Sequence, residues 1–110
     1  VLIKADDALV MTVLPASSRV DFAKLRQVLD KKDIRLASED EFRDAFPDCE
    51  TGAEPPFGNL YDVDTIVDKS LTEDTEIFFN AGTHYEALEM SYRDFADLVR
   101  PKVADIGKHL

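Results

Sequence analysis

Apolar and polar positions fall into short blocks along the chain. Val1–Lys4 and Leu9–Leu14 are β-branched and apolar runs on either side of Asp6-Asp7-Ala8. That pattern predicts a hairpin with an acidic turn, and Pro15 with Ser17-Ser18 ends it. From Phe22 the period lengthens. Phe22, Leu25, Val28 and Leu29 share one helical face, and Asp21 is placed to cap a helix over about residues 22–30. Lys31-Lys32-Asp33 closes it, and Ile34–Leu36 reads as a short strand. Ser38-Glu39-Asp40-Glu41 then carries a capping box, because Ser38 can accept from the amide three residues on while Glu41 reaches back. Phe42, Ala45 and Phe46 supply the apolar face of that helix, and Pro47 stops it.

The second half alternates faster. Strand-like pieces fall at Leu60–Tyr61, Thr65–Val67, Glu76–Asn80 and Ala87–Met90. Ser91 with Asp94 predicts a helix over residues 92–99 with Phe95, Leu98 and Val99 facing inward. Pro101 suits the first turn of a last helix over 101–109. Strands outnumber helices, and their short connections favour antiparallel neighbours. The expected fold is α/β, a mixed, mainly antiparallel sheet surrounded by helices.

Composition narrows the class. The 110 residues are 45% hydrophobic and 33% charged, with four Gly and five Pro. That suits a compact domain and excludes collagen-like, low-complexity and disordered chains. No linker, repeat or charged tail divides the sequence, so residues 1–110 read as one domain. It opens inside a strand without an initiator methionine, and we expect it to lack an N-terminal segment. No signal-peptide pattern and no apolar run of about 18 residues is visible. The expected setting is cytoplasmic, with no membrane contact.

Charge limits the partners. Thirteen Lys and Arg stand against 23 Asp and Glu, a net charge of −10. Such a chain does not coat nucleic acid through bulk electrostatics. Any such contact must be local, and Lys24, Arg26, Lys31, Lys32 and Arg35 are the candidates for a basic patch. The same cluster also reads as a solvated helix face.

Few segments can carry chemistry. There is no P-loop, GxGxxG or GxSxG pattern. The single cysteine, Cys49, lies between Asp48 and Glu50, which disfavours its thiolate. Cys49, His84 and His109 have no metal-ligand spacing, so neither metal nor cofactor is expected. What remains is Gly52-Ala53-Glu54-Pro55-Pro56-Phe57-Gly58-Asn59. Its glycines permit unusual backbone angles and close approach. Its prolines stiffen the stretch and remove donors. A preformed loop with a few free amides suits a carbonyl oxygen or developing oxyanion; it equally suits a rigid connection. Asn80-Ala81-Gly82-Thr83-His84 follows the apolar strand Ile77-Phe78-Phe79. There His84 is either an acid, base or ligand, or a surface and capping residue. Asp68 ends the strand Thr65-Ile66-Val67. It can orient a water or substrate amine, or cap the turn at Lys69-Ser70.

The order and spacing of Gly52…Pro56-Phe57-Gly58, the strand ending in Asp68 and the Gly82-Thr83-His84 turn resemble the YbaK/ProX family of aminoacyl-tRNA editing domains. That family is related to the domain inserted in bacterial prolyl-tRNA synthetases. Leu9–Pro15 with Ser18-Arg19-Val20-Asp21, and Leu36-Ala37-Ser38-Glu39-Asp40-Glu41-Phe42, extend the likeness over nearly the whole chain. The resemblance implies hydrolysis of the ester joining a wrong, small amino acid such as Ala or Cys to proline tRNA, with the ribose 2′-hydroxyl assisting. It implies that the loop Gly52-Ala53-Glu54-Pro55-Pro56, with Phe57 and Gly58, binds the substrate together with Gly82 and Thr83. Gly52, Asp68 and His84 carry over as the catalytic set. A functional lysine of the family falls upstream of Val1. The implied partner is the acceptor end of mischarged tRNA, delivered by a synthetase or elongation factor. A non-catalytic module of the same fold that binds tRNA or a synthetase is the alternative.

Overall fold

A computed structural model describes residues 1–110. The first hairpin forms as the pattern predicts. Strands β1 (Leu2–Ala5) and β2 (Ala8–Val13) pair antiparallel in the register Leu2↔Met11 and Ile3↔Val10. Asp6 takes the positive φ of 52° that the tight turn needs, a conformation aspartate tolerates. A short strand β3 (Ser18–Val20) leads into helix α1 (Phe22–Leu29). Asp21 caps α1 by accepting from the Ala23 and Lys24 amides at 3.0 and 3.2 Å. Strand β4 (Ile34–Leu36) pairs antiparallel with β1, and helix α2 (Glu39–Ala45) follows with the complete Ser38–Glu41 capping box.

The return to the sheet is long. Strand β5 (Asp64–Asp68) lies parallel to β2, in the register Thr12↔Ile66. Strands β6 (Glu76–Asn80) and β7 (Ala87–Ser91) form a separate antiparallel hairpin. Helix α3 (Tyr92–Val99) precedes two short strands, β8 (Lys102–Ala104) and β9 (Gly107–His109). The main sheet runs β4-β1-β2-β5-β8, while β3 pairs with β9. Four of the six strand pairings are antiparallel. The fold is therefore mixed α/β with mainly antiparallel pairing and three α-helices.

Side-chain alternation sends the two faces of the sheet into different layers. Ile3, Val10 and Ile66 pack with Leu25 of α1 and with Val20, Ile34 and Ile106. On the opposite face Leu2 and Met11 pack with Phe42 of α2 and with Phe46, which caps its end. Val67 packs there with Leu71, Ile77, Phe95 and Val99, so α3 covers the other end of that face. No helix is long and apolar enough to cross a membrane.

Four local expectations need correction. Residues 101–109 are not helical. Arg100 closes α3 in the left-handed region at φ 50°, and Lys102–Ala104 then pairs parallel with Ile66–Asp68. The Asp68 carboxylate fixes the next turn by accepting from the Ile106 and Gly107 amides. Ser17-Ser18, read as the end of the hairpin, leads directly into a strand over Ser18–Val20 whose partner is Gly107–His109. Leu60–Tyr61 lies in a 3-10 turn over Gly58–Tyr61, and Leu60 is exposed. Leu98 faces outward and is 61% exposed, leaving Phe95 and Val99 as the buried contacts of α3.

Candidate active site

A cleft of about 640 Å³ opens where β2 ends beside the start of β1. Thr12, Leu14 and Pro15 contribute from the end of β2, and Arg19 and Phe22 from the approach to α1. Gly52, Glu54 and Pro56 form another wall, and Phe78 and Phe79 of β6 complete it. Val1 and Thr12 extend the β1–β2 ladder to the cleft. The Val1 nitrogen donates to the Thr12 carbonyl at 2.7 Å, and the Thr12 amide and hydroxyl both donate to the Val1 carbonyl at 2.8 Å.

The loop over residues 50–58 is held at both ends. Ala53 and Pro56 are buried. Phe57 meets Phe79 and Phe95 edge-on, at centroid separations of 5.4 and 5.8 Å. Gly58 is buried so tightly that a Cβ there would collide with the Thr65 hydroxyl and stand 2.5 Å from the Val63 carbonyl oxygen. Pro55 is half-buried between Glu54 and Pro56 and does not line the cleft. Gly52 adopts φ +81°, which side-chain-bearing residues rarely take.

The two motifs that sequence separates by about 30 residues are joined in the structure. The Glu50 amide donates to the Gly82 carbonyl at 2.7 Å, and the Gly82 amide donates to the Ala53 carbonyl at 3.0 Å. The Glu50 carboxylate accepts from the His84 amide at 2.7 Å. The His84 ring Nε2 stands 2.8 Å from the Thr51 carbonyl oxygen. A carbonyl only accepts, so Nε2 carries the proton and the second ring nitrogen, Nδ1, is the one left free in the neutral ring. Gly82 takes φ +97° at the turn. Thr83 fixes the same turn by accepting from the Tyr85 and Glu86 amides. Gly82, Thr83 and His84 brace the loop from behind and do not line the cleft.

Among the loop residues that line the cleft, two donors are unused. The amides of Gly52 and Glu54 donate to no acceptor in the chain, and both residues line the cleft. Pro55 and Pro56 have no amide hydrogen to compete.

Asp68 is 5% exposed and stands outside the cleft lining. One carboxylate oxygen accepts from the Ile106 and Gly107 amides, both at 2.9 Å; the other accepts from the Ser70 amide at 3.2 Å and from the Ser70 hydroxyl. Burial pushes the carboxyl up, but these hydrogen bonds outweigh it and hold Asp68 below the ordinary carboxylate range. In the structure Asp68 caps the 3-10 turn over Lys69–Glu73 and ties β5 to the chain before β9.

The suggested basic patch is largely neutralised. Lys24 pairs with Asp105 at 3.0 Å, Arg35 with Glu41 at 2.7 Å and Lys31 with Asp6 at 3.9 Å. Arg19, which sequence reasoning treated only as part of a family likeness, is the one basic side chain in the cleft lining and has no acidic partner. Phe78 and Phe79 were seen only as an apolar strand.

The profile of the aminoacyl-tRNA editing domain matches residues 1–98. This chain belongs to that family. The editing domain also shares its fold with solved structures. One is a hypothetical protein, at TM-score 0.86 and 20% identity over 97% of this chain and 71% of the other. Another is described as a candidate trans-editing enzyme for prolyl-tRNA synthetase, at TM-score 0.85 and 20% identity over 97% of this chain and 67% of the other. A third, a candidate signal-transduction protein from Marinobacter aquaeolei, has TM-score 0.80 and 21% identity; the editing domain covers only 24% of it. At these identities the likeness is one of fold. No curated protein matches the chain.

Proposed function

We propose that this editing domain is a freestanding trans-editing deacylase, acting on a small amino acid such as alanine or cysteine wrongly esterified to proline tRNA. The observation that carries the reading is the pair of uncommitted amides, Gly52 and Glu54, in a braced loop on the cleft wall. They supply donors for the ester carbonyl and for the oxyanion that forms when water attacks it. Each well-placed donor contributes roughly 10²–10³ in rate. Water adds across the ester, releasing the amino acid and restoring the ribose hydroxyl. The chemistry asks little more of the protein, because an aminoacyl ester is activated and the neighbouring 2′-hydroxyl can assist.

Apolar walls from Leu14, Phe22, Phe78 and Phe79 suit a small side chain, and Arg19 suits a phosphate near the tRNA 3′ end. The net charge of −10 favours delivery by a synthetase or elongation factor in the cytoplasm over independent capture of tRNA. The presence of only one basic side chain in the cleft, together with His84 tied to Thr51, favours a second reading: a non-catalytic module that binds tRNA or a synthetase.

Deacylation of alanyl- and prolyl-tRNA bearing the proline anticodon separates these readings. Rapid hydrolysis of the alanyl ester, with the prolyl ester spared, supports the deacylase. Binding without hydrolysis across a panel of mischarged tRNAs supports the module.

A further inference from the structure

We propose that the Glu54 side chain is the ammonium receptor of the cleft: it binds the free α-ammonium of the aminoacyl ester, so that unblocked aminoacyl esters are taken and N-acylated ones are passed over. The inference rests on the deacylase reading and adds a substrate class to it.

Glu54 lines the cleft, yet its side chain is only 8% exposed. Its Oε2 is buried and has no hydrogen-bond partner. A buried carboxylate oxygen without a donor is costly, and the chain offers none. The Val1 nitrogen stands 3.7 Å from Oε1 and is directed at the Thr12 carbonyl. Arg19, the only basic side chain in the cleft, makes no ion pair with Glu54. Pro56, which is buried, and the partly buried Phe79 line the same cleft, and a charge contact strengthens in such apolar surroundings.

The chemistry of the ligand matches this arrangement. In an α-amino ester the ammonium and the carbonyl carbon are separated by one carbon. The carboxylate of Glu54 and the amides of Glu54 and Gly52 belong to the same few residues of loop. One end of that loop can therefore hold the ammonium while its backbone holds the carbonyl oxygen. An N-acylated ester lacks the positive charge and adds bulk beside a buried carboxylate.

The test uses three stable amide analogues of 3′-aminoadenosine, carrying alanyl, N-acetylalanyl and propionyl groups, titrated into the whole chain by NMR or calorimetry. Alanyl should bind roughly tenfold or more tightly than the other two. The nearly isosteric Glu54→Gln variant should lose that preference while keeping its thermal midpoint. Equal affinities for the alanyl and propionyl analogues in the native chain overturn the proposal without any variant having to fold. A preference that survives in Glu54→Gln also overturns it, and leaves Glu54 as a partner of the Val1 nitrogen alone. Deacylation is measured in parallel. Hydrolysis of alanyl-tRNA without preferential binding of the amine removes the ammonium receptor and keeps the deacylase. Amine-selective binding without hydrolysis keeps the receptor and removes the deacylase.

Discussion

The His84 imidazole stands with Nε2 2.8 Å from the Thr51 carbonyl oxygen, next to the glycine whose φ is +81°. A residue that suggests acid–base catalysis thus has one nitrogen committed to holding a loop. His84→Ala should leave the fold intact, since the side chain is exposed, and cost roughly 0.5–1.5 kcal/mol for the lost hydrogen bond. It should lower deacylation more than that stability change implies, because a loop displaced by about 1 Å costs on the order of 10²-fold in rate. Chemical denaturation and steady-state deacylation on the same preparation check both halves. Hydrogen exchange at the Gly82 amide should quicken in the variant.

Asp68 carries a prediction with a sign. Its folded-state carboxyl lies below the ordinary range, so it adds stability at neutral pH that is lost as pH falls through its depressed value. Glu41, held down at about 2 by Arg35 and the Ser38 amide, acts in the same direction. The denaturation midpoint should therefore drop as pH falls below about 4. Asp68→Asn should lower stability at pH 7 by about 2–3 kcal/mol, because the amide end turns donors toward donors. It should also flatten part of the acid dependence. Urea titrations at several pH values measure this.

Gly58 sits too close to Val63 and Thr65 to accept a methyl group. Gly58→Ala should destabilise by about 1–3 kcal/mol. A thermal scan that finds no change would show that the 3-10 turn relaxes freely.

Arg19 is the free cation of the cleft. Arg19→Ala should weaken binding of a tRNA acceptor-stem mimic and reduce the slope of log affinity against log salt by about 1. Lys24→Ala, whose ammonium already serves Asp105 and the Gly107 carbonyl, should change that slope far less. Filter binding across a salt series distinguishes the two.

Sequence revealed the parts of the fold written in local chemistry. The β1–β2 hairpin, the Asp21 cap and the Ser38–Glu41 box all depend on residues a few positions apart. The β3–β9 pairing did not emerge, because Ser18–Val20 finds its partner about 90 residues later. Residues 101–109 read as helical from Pro101, because the partners of Lys102–Ala104 and Gly107–His109 both lie far off in sequence. The parallel placement of β5 beside β2 was equally hidden, since the intervening excursion includes two helices and a turn.

The site divides in the same way. Gly52, Glu54 and Pro56 could be marked as one loop, and Gly82-Thr83-His84 as one turn. That they brace one another could not be read, because the joint consists of backbone bonds, one Glu50 carboxylate contact and the His84 ring on the Thr51 carbonyl. Glu54 is marked in the sequence only as a member of that loop; that its side chain is buried on the cleft wall has no local signal. Arg19 carries only a family likeness in the sequence; its place in the cleft lining depends on how the chain folds.

The central claim is that the loop backbone at Gly52 holds the reacting ester. Single-turnover deacylation of alanyl-tRNA bearing the proline anticodon tests it, comparing the native chain with Gly52→Ala and Gly52→Val. A Cβ at Gly52 would meet only the His84 ring, at 3.8 Å. The penalty is therefore backbone strain of about 1–3 kcal/mol in the loop, and both variants should fold. We predict a loss of at least roughly 10²-fold in rate for folded Gly52→Val, with Gly52→Ala losing less. Turnover at the native rate by folded Gly52→Val would contradict the account.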